Sequence, residues 1–217
     1  WWAKVFPEVT KTGATVFAYN RPGYGDSESV STPRNGQVAV EELRALLQDP
    51  ALGLSPPYVL VGHSLGGLYF QDFARRYPNE VQALILVDST HPQQMTGDGA
   101  IDRWPWWVRK AVQWLTPEAG MKELAQVEAT GSTVLTLPPL ETQRFPVIIL
   151  LATEPEHPSS PLEVHAVQMR KDFHRLYPQA TFVMVSGDHA VPLHSPQLIV
   201  EQILSVLPKD FPQPVSR

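Results

Sequence analysis

The sequence predicts a mostly parallel β-sheet flanked by helices, an α/β fold that carries one helical insertion. Three observations support this. Short apolar runs alternate with longer amphipathic stretches, the runs are near-continuously apolar as strands buried on both faces require, and some fifty residues separate two of them.

Residues 15–19 (TVFAY), 58–61 (YVLV), 81–87 (VQALILV), 147–152 (VIILLA) and 181–185 (TFVMV) read as strands. Between them, residues 37–47, 67–76, 162–176 and 197–207 place apolar side chains at three- and four-residue spacings, which predicts helices packed on the sheet. The stretch 92–145 is far longer than a usual crossover connection. The chain therefore divides into a core, residues 1–91 and 146–217, and a lid inserted over 92–145. That lid carries four tryptophans in residues 104–115 (WPWWVRKAVQWL). Placed over the carboxyl ends of the strands, Trp104 and Trp107 would face a binding cleft; the alternative is that the rings only fasten the insertion to the body.

Composition bounds the function. A chain of 217 residues suits one domain that buries roughly 70% of its unfolded surface. With 43% hydrophobic and 18% charged residues it is far from the disordered class, and its 22 prolines fall mostly between periodic segments. A net charge of −5 with no clustered Lys or Arg argues against nucleic acid or an anionic membrane surface as partner. The absence of cysteine excludes disulfides, thiolate catalysis and cysteine-ligated metals. No apolar run is long enough to span a bilayer, so the chain reads as a soluble segment, with the cytoplasm the favoured compartment.

After the run YVLV comes Gly62-His63-Ser64-Leu65-Gly66-Gly67, a G-x-S-x-G sequence followed by a helical stretch. Such a strand-to-helix turn needs small residues around the serine so that its Oγ stands exposed above the sheet. It also aims the Leu65 N–H at the place where an oxyanion would form. His63, within the motif, is a candidate cleft residue. Together with Arg21-Pro22-Gly23-Tyr24-Gly25-Asp26-Ser27, which looks like an R-x-G-x-G-x-S turn, and the stretch 56–90, this motif resembles the α/β-hydrolase family. The resemblance covers most of the chain outside residues 92–145.

The resemblance implies a nucleophile, an acid and a histidine in that chain order. Ser64 is the nucleophile. His189 follows the last apolar run, and Pro196 opens a helix seven residues later, similar to the family's terminal G-H-x-x-x-x-x-x-P pattern with Asp188 inserted after the glycine. His194 is the rival base in the same loop. His91, His157, His165 and His174 read as surface or lid residues, and no pair shows metal-ligand spacing, so neither a metal nor a cofactor is expected.

The acid stays open between Asp88 and Glu154, with Glu156 behind them. In most of the family it is an aspartate just past the strand read at 147–152, where this chain has Glu154-Pro155-Glu156. Asp88 lies 24 residues after Ser64 at the preceding strand end, a layout similar to that of the haloalkane dehalogenases. Residues 1–6 resemble the helix that ordinarily follows the family's HG-type oxyanion loop, and that loop is absent. The chain is thus expected to be a piece of a longer protein or a reduced form, short of one oxyanion donor worth about 2.7 to 4 kcal/mol. The expected function is hydrolysis of a small-molecule carboxylic ester with a hydrophobic acyl or aryl group, through an acyl-enzyme. Carbon–carbon bond hydrolysis, cofactor-free perhydrolysis and a non-catalytic ligand-binding role are the alternatives.

Overall fold

The structure, a computed structural model, describes residues 1–140, 145–155 and 160–208. Four strands, β1 (Tyr58–His63), β2 (Val81–Val87), β3 (Val147–Ala152) and β4 (Thr181–Val185), pair in chain order and all in parallel. All six residues of β3 and six of the seven in β2 are buried, which is why these runs are apolar at nearly every position rather than alternating. The register sets His63 beside Val87 and Val87 beside Leu150, so the strands deliver their carboxyl ends to one edge of the sheet.

Helices cover both faces. On one side, α2 (Gly36–Leu47), α3 (Leu65–Arg76) and α8 (Phe173–Leu176) pack Val40, Leu43, Phe73 and Phe173 against Leu84, Leu86 and Ile149. The other face takes α1 (Phe6–Thr10) and α9 (Pro196–Val206), whose Val9, Ile199 and Ile203 meet Ile85, Val87, Ile148 and Leu150. Successive residues of β2 and β3 thus feed opposite layers, as the period-two geometry of a strand demands. Asn35 caps α2, its side-chain oxygen accepting the Val38 N–H at 3.0 Å.

Two sequence expectations need correction. Residues 15–19 form no strand: β1 ladders only with β2 among the described residues, and the TVFAY run has no backbone pairing. Its side chains still pack as a strand's would, Val16 on one core layer and Phe17 and Tyr19 on the other. The apolar pattern recorded partial burial against the two layers, whereas a strand also needs a neighbour to bond. The helix expected over 162–176 is broken into α7 (Pro161–Lys171) and α8 at Asp172, whose carboxylate binds Arg175 at 2.7 Å and lies 3.2 Å from His91 Nε2.

The connection between β2 and β3 holds α4 (Trp106–Leu115), α5 (Glu118–Leu124) and α6 (Val127–Thr136). α6 lies against α3, and Gly131 lets its backbone approach Pro92, since a Cβ there would stand 1.8 Å from the Pro92 oxygen. Glu123 of α5 is buried and accepts both arms of the Arg21 guanidinium, at 2.7 and 2.8 Å, and the Tyr24 hydroxyl at 2.8 Å. Burial alone would lower the Arg21 pKa, but the bonds to Glu123 reverse that and raise it; burial first, then the same carboxylate, push Tyr24 up to about 12. Among the described residues no helix is long and apolar enough to cross a membrane.

Candidate active site

Of the expected site residues, Ser64, Asp88 and His189 come together at the carboxyl ends of the strands. Ser64 stands between β1 and α3 with φ 52° and ψ −128°, and Asp88, just past β2, has φ 41°. They are the two non-glycine residues with positive φ among the described ones, and they sit at adjacent strand ends. Strain of this kind persists only where the surroundings over-determine it. Here the Ser64 N–H donates to Val87 O at 3.3 Å, the Thr90 N–H to Ser64 O at 3.0 Å and the Asp88 N–H to Leu150 O at 2.8 Å. Close approach is required at Gly62 and Gly67, where a Cβ would meet Gly67 Cα at 2.7 Å and Ser89 Oγ at 2.3 Å respectively; Gly66 faces open space. The crowding thus falls on the second glycine after Leu65, one position later than the motif suggests.

His189 lies in the loop after β4, and its Nδ1 is 2.5 Å from Asp88 Oδ2. A carboxylate only accepts, so Nδ1 carries the proton and Nε2 is left free to act as a base. The Asp88 side chain is fully buried, and its Oδ1 accepts the Ala152 N–H at 3.0 Å. A cleft of about 240 Å³ is lined by Ser64, His189, Glu154 and Arg170 together with apolar Leu162 and Ala166 of α7. Ser64 Oγ and His189 are not hydrogen-bonded to each other in this structure; catalytic contacts often tighten only when substrate binds.

His63 Nε2–H donates to the His189 carbonyl at 2.8 Å, and the two rings stand 4.5 Å apart. Burial, reinforced by His189, lowers its pKa to about 4. His63 therefore supports the His189 loop and does not line the described cleft. Asp188 turns that same loop, accepting the Ala190 N–H at 2.9 Å, and pairs with the exposed His194, which the structure keeps out of the cleft. Leu65 opens α3, its N–H among those a helix start leaves without an intrahelical partner.

Of the two candidate acids, Asp88 meets His189. Glu154 lines the cleft, and its backbone N–H donates to Gly187 O at 3.0 Å; Glu156 and His157 lie outside the described residues. Trp104 and Trp107 do not line the cleft: the Trp104 indole donates to Gly99 O at 2.9 Å, and Trp107, on a helix with no buried residue, is 61% exposed. Sequence reasoning missed Arg170, whose Nη2 is 3.2 Å from Asp88 Oδ2. Its signal was an arginine on the stripe 162, 166, 170 of an otherwise inward-facing helix edge.

His91, expected at the surface, is buried against Phe173 at 5.0 Å, with Nδ1 accepting the Gln93 N–H at 3.1 Å. Desolvation lowers its pKa to about 4 from 6.5. The unfolded chain therefore binds more protons than the native one between about pH 4 and 6.5, so stability must rise with pH across that window. Urea midpoints are expected to climb accordingly, and His91→Gln to flatten the climb; an unchanged slope in the variant would mean that His91 is not held neutral by the fold.

The alpha/beta hydrolase fold model matches residues 1–213. The chain belongs to the α/β-hydrolase family. Among curated proteins, this α/β-hydrolase is 28% identical to an uncharacterized protein of Bacillus subtilis over 237 residues, which covers 89% of this chain and 70% of that one. It is 33% identical to the (lyso)-N-acylphosphatidylethanolamine lipase of Mus musculus over 98 residues, covering 44% of this chain and 28% of the lipase. It spans 12% to 28% of the length of several further curated relatives that it matches. The monoacylglycerol lipase of Paleococcus ferrophilus shares the fold, with a TM-score of 0.62 at 18% identity over 95% of this chain and 89% of that one.

Proposed function

We propose that this α/β-hydrolase is a serine hydrolase that cleaves carboxylic esters of hydrophobic acyl or aryl groups. The observation that carries the reading is the 2.5 Å bond from His189 Nδ1 to the buried Asp88, set in the cleft that Ser64 also lines. In the mechanism, His189 Nε2 takes the Ser64 proton as Oγ attacks the ester carbonyl, and Asp88 stabilises the imidazolium that forms. The oxyanion is met by the Leu65 N–H at the start of α3, where the helix dipole adds to the hydrogen bond. Collapse of the intermediate breaks the ester C–O bond, and the imidazolium returns its proton to the departing alkoxide. Water, deprotonated by the same histidine, then attacks the acyl carbon; the acyl–Oγ bond breaks, the acid leaves, and His189 returns the proton to Ser64 Oγ. The apolar stretch of α7 along the cleft and the match to a lipid lipase support an apolar acyl group. In this reading residues 92–145 act as the lid.

A fluorophosphonate probe, which traps activated serines, tests the proposal when the adduct is located by mass spectrometry with Ser64→Ala as control. Labelling confined to Ser64, with turnover of p-nitrophenyl esters that improves with acyl length, is the expected result. A folded chain that takes no label would instead be a ligand-binding relative, and label without esterase turnover would point to carbon–carbon bond hydrolysis.

A further inference from the structure

Arg170 is 7% exposed, and it is the one lysine or arginine among the described residues that line the cleft. A guanidinium taken out of water is costly unless it is paired. Its Nη2 stands 3.2 Å from Asp88 Oδ2, the same oxygen that accepts the His189 Nδ1–H, while Nη1 is buried with no hydrogen-bond partner among the described residues. The other carboxylate oxygen is occupied by the Ala152 N–H. Two cationic groups therefore address one oxygen whenever the imidazole takes up a proton.

We propose that Arg170 is a positioning residue that acts through Asp88 to moderate the basicity of His189, a role that rests on the Ser64–His189–Asp88 reading above. The guanidinium, 3.2 Å from Oδ2, holds the Asp88 carboxylate fixed toward His189. It also offsets part of the negative field of Asp88 that would stabilise the imidazolium, so removing Arg170 strengthens that field at His189. The remaining groups around His189 do not supply this. His63, from the end of β1, is kept neutral by burial, and Asp188 is engaged by the Ala190 N–H and His194. Glu154, past β3, and Glu163, on α7, are acidic and would act in the opposite direction.

The rate of Ser64 labelling by a fluorophosphonate, followed from about pH 5 to 9 in the wild-type chain, Arg170→Met and Arg170→Lys, tests this. Arg170→Met is expected to move the acid limb of the profile up by about one pH unit, the tenfold effect of removing a nearby charge. Arg170→Lys, which keeps the charge without the planar fork, is expected to leave the limb within about 0.3 unit of the wild type. If Arg170→Met fails to fold by circular dichroism, Arg170→Gln carries the same expectation. An unmoved limb in a labelled, folded charge-removing variant overturns the proposal and would make Arg170 a structural counter-ion only. So does a limb displaced equally in Arg170→Lys. Absence of Ser64 label in the wild-type chain at every pH would instead sink the triad reading itself.

Discussion

Asp88→Asn is expected to lower kcat toward p-nitrophenyl esters by about 10⁴-fold, the loss seen when the orienting aspartate of such a triad becomes an amide. The Asp88 carboxylate is fully buried, bonded to His189 Nδ1 at 2.5 Å and to the Ala152 N–H at 3.0 Å. An asparagine placing its oxygen toward Ala152 would turn its NH₂ to His189. Nδ1 would then become the acceptor, and the proton would move to Nε2, the nitrogen needed as base. Glu154→Gln makes the paired control. Glu154 shares the cleft but has no bond to His189 among the described residues, so its loss is expected to change kcat by no more than about tenfold, the effect of one charge nearby. If steady-state kinetics showed the larger loss for Glu154→Gln, the acid would have to be reassigned to the strand end that most of the family uses.

The second large effect concerns the tie between α5 and the turn at residues 21–27. Breaking a buried ion pair by removing one partner costs about 3 to 5 kcal/mol. Glu123→Ala should fall at the lower end, about 3 kcal/mol, because Arg21 keeps 28% side-chain exposure and can regain some hydration. In a chain of this size, that corresponds to a Tm lower by about 6 to 12 °C. Glu123→Gln, which can still accept from Arg21 and Tyr24, should lose less. Calorimetry on both variants decides the matter: equal Tm values for Glu123→Ala and the wild type would mean that the bidentate pair contributes nothing net.

The strands that lie between two helical layers were legible because burial on both faces writes itself as unbroken apolar sequence, as in VQALILV and VIILLA. Residues 15–19 show the limit of that signal. Phe17 and Tyr19 pack as expected, yet pairing depends on a neighbouring backbone that composition does not encode. At the site, the turns that carry Ser64 and His189 were legible in the local sequence, and the fold brings both residues to one cleft. Which acid meets the histidine was not legible there, since it depends on how far two strand ends project beside one loop. Charged residues at buried helix positions were the overlooked class. Arg170 follows Leu162 and Ala166 at four-residue steps, and Glu123 follows Ala119 in the same way, so each stands where an apolar residue would be expected. His91 was misjudged because a histidine's burial is decided by its neighbours, here Phe173 and Asp172, which lie some eighty residues downstream.

The strictly sequential, all-parallel ladder has a kinetic consequence. The Asp88–His189 bond joins residues 101 apart, a closure whose entropy alone is about 4 kcal/mol, more than one hydrogen bond returns. In the ladder β3 lies between β2 and β4, so the paired strands themselves bring these ends together. Ser64, Asp88 and His189 follow β1, β2 and β4, so their meeting draws on the whole four-stranded ladder. In the proposed reading, ester turnover regained after refolding is expected to report the completed sheet, whereas far-ultraviolet signals, dominated by local helices, run ahead of it.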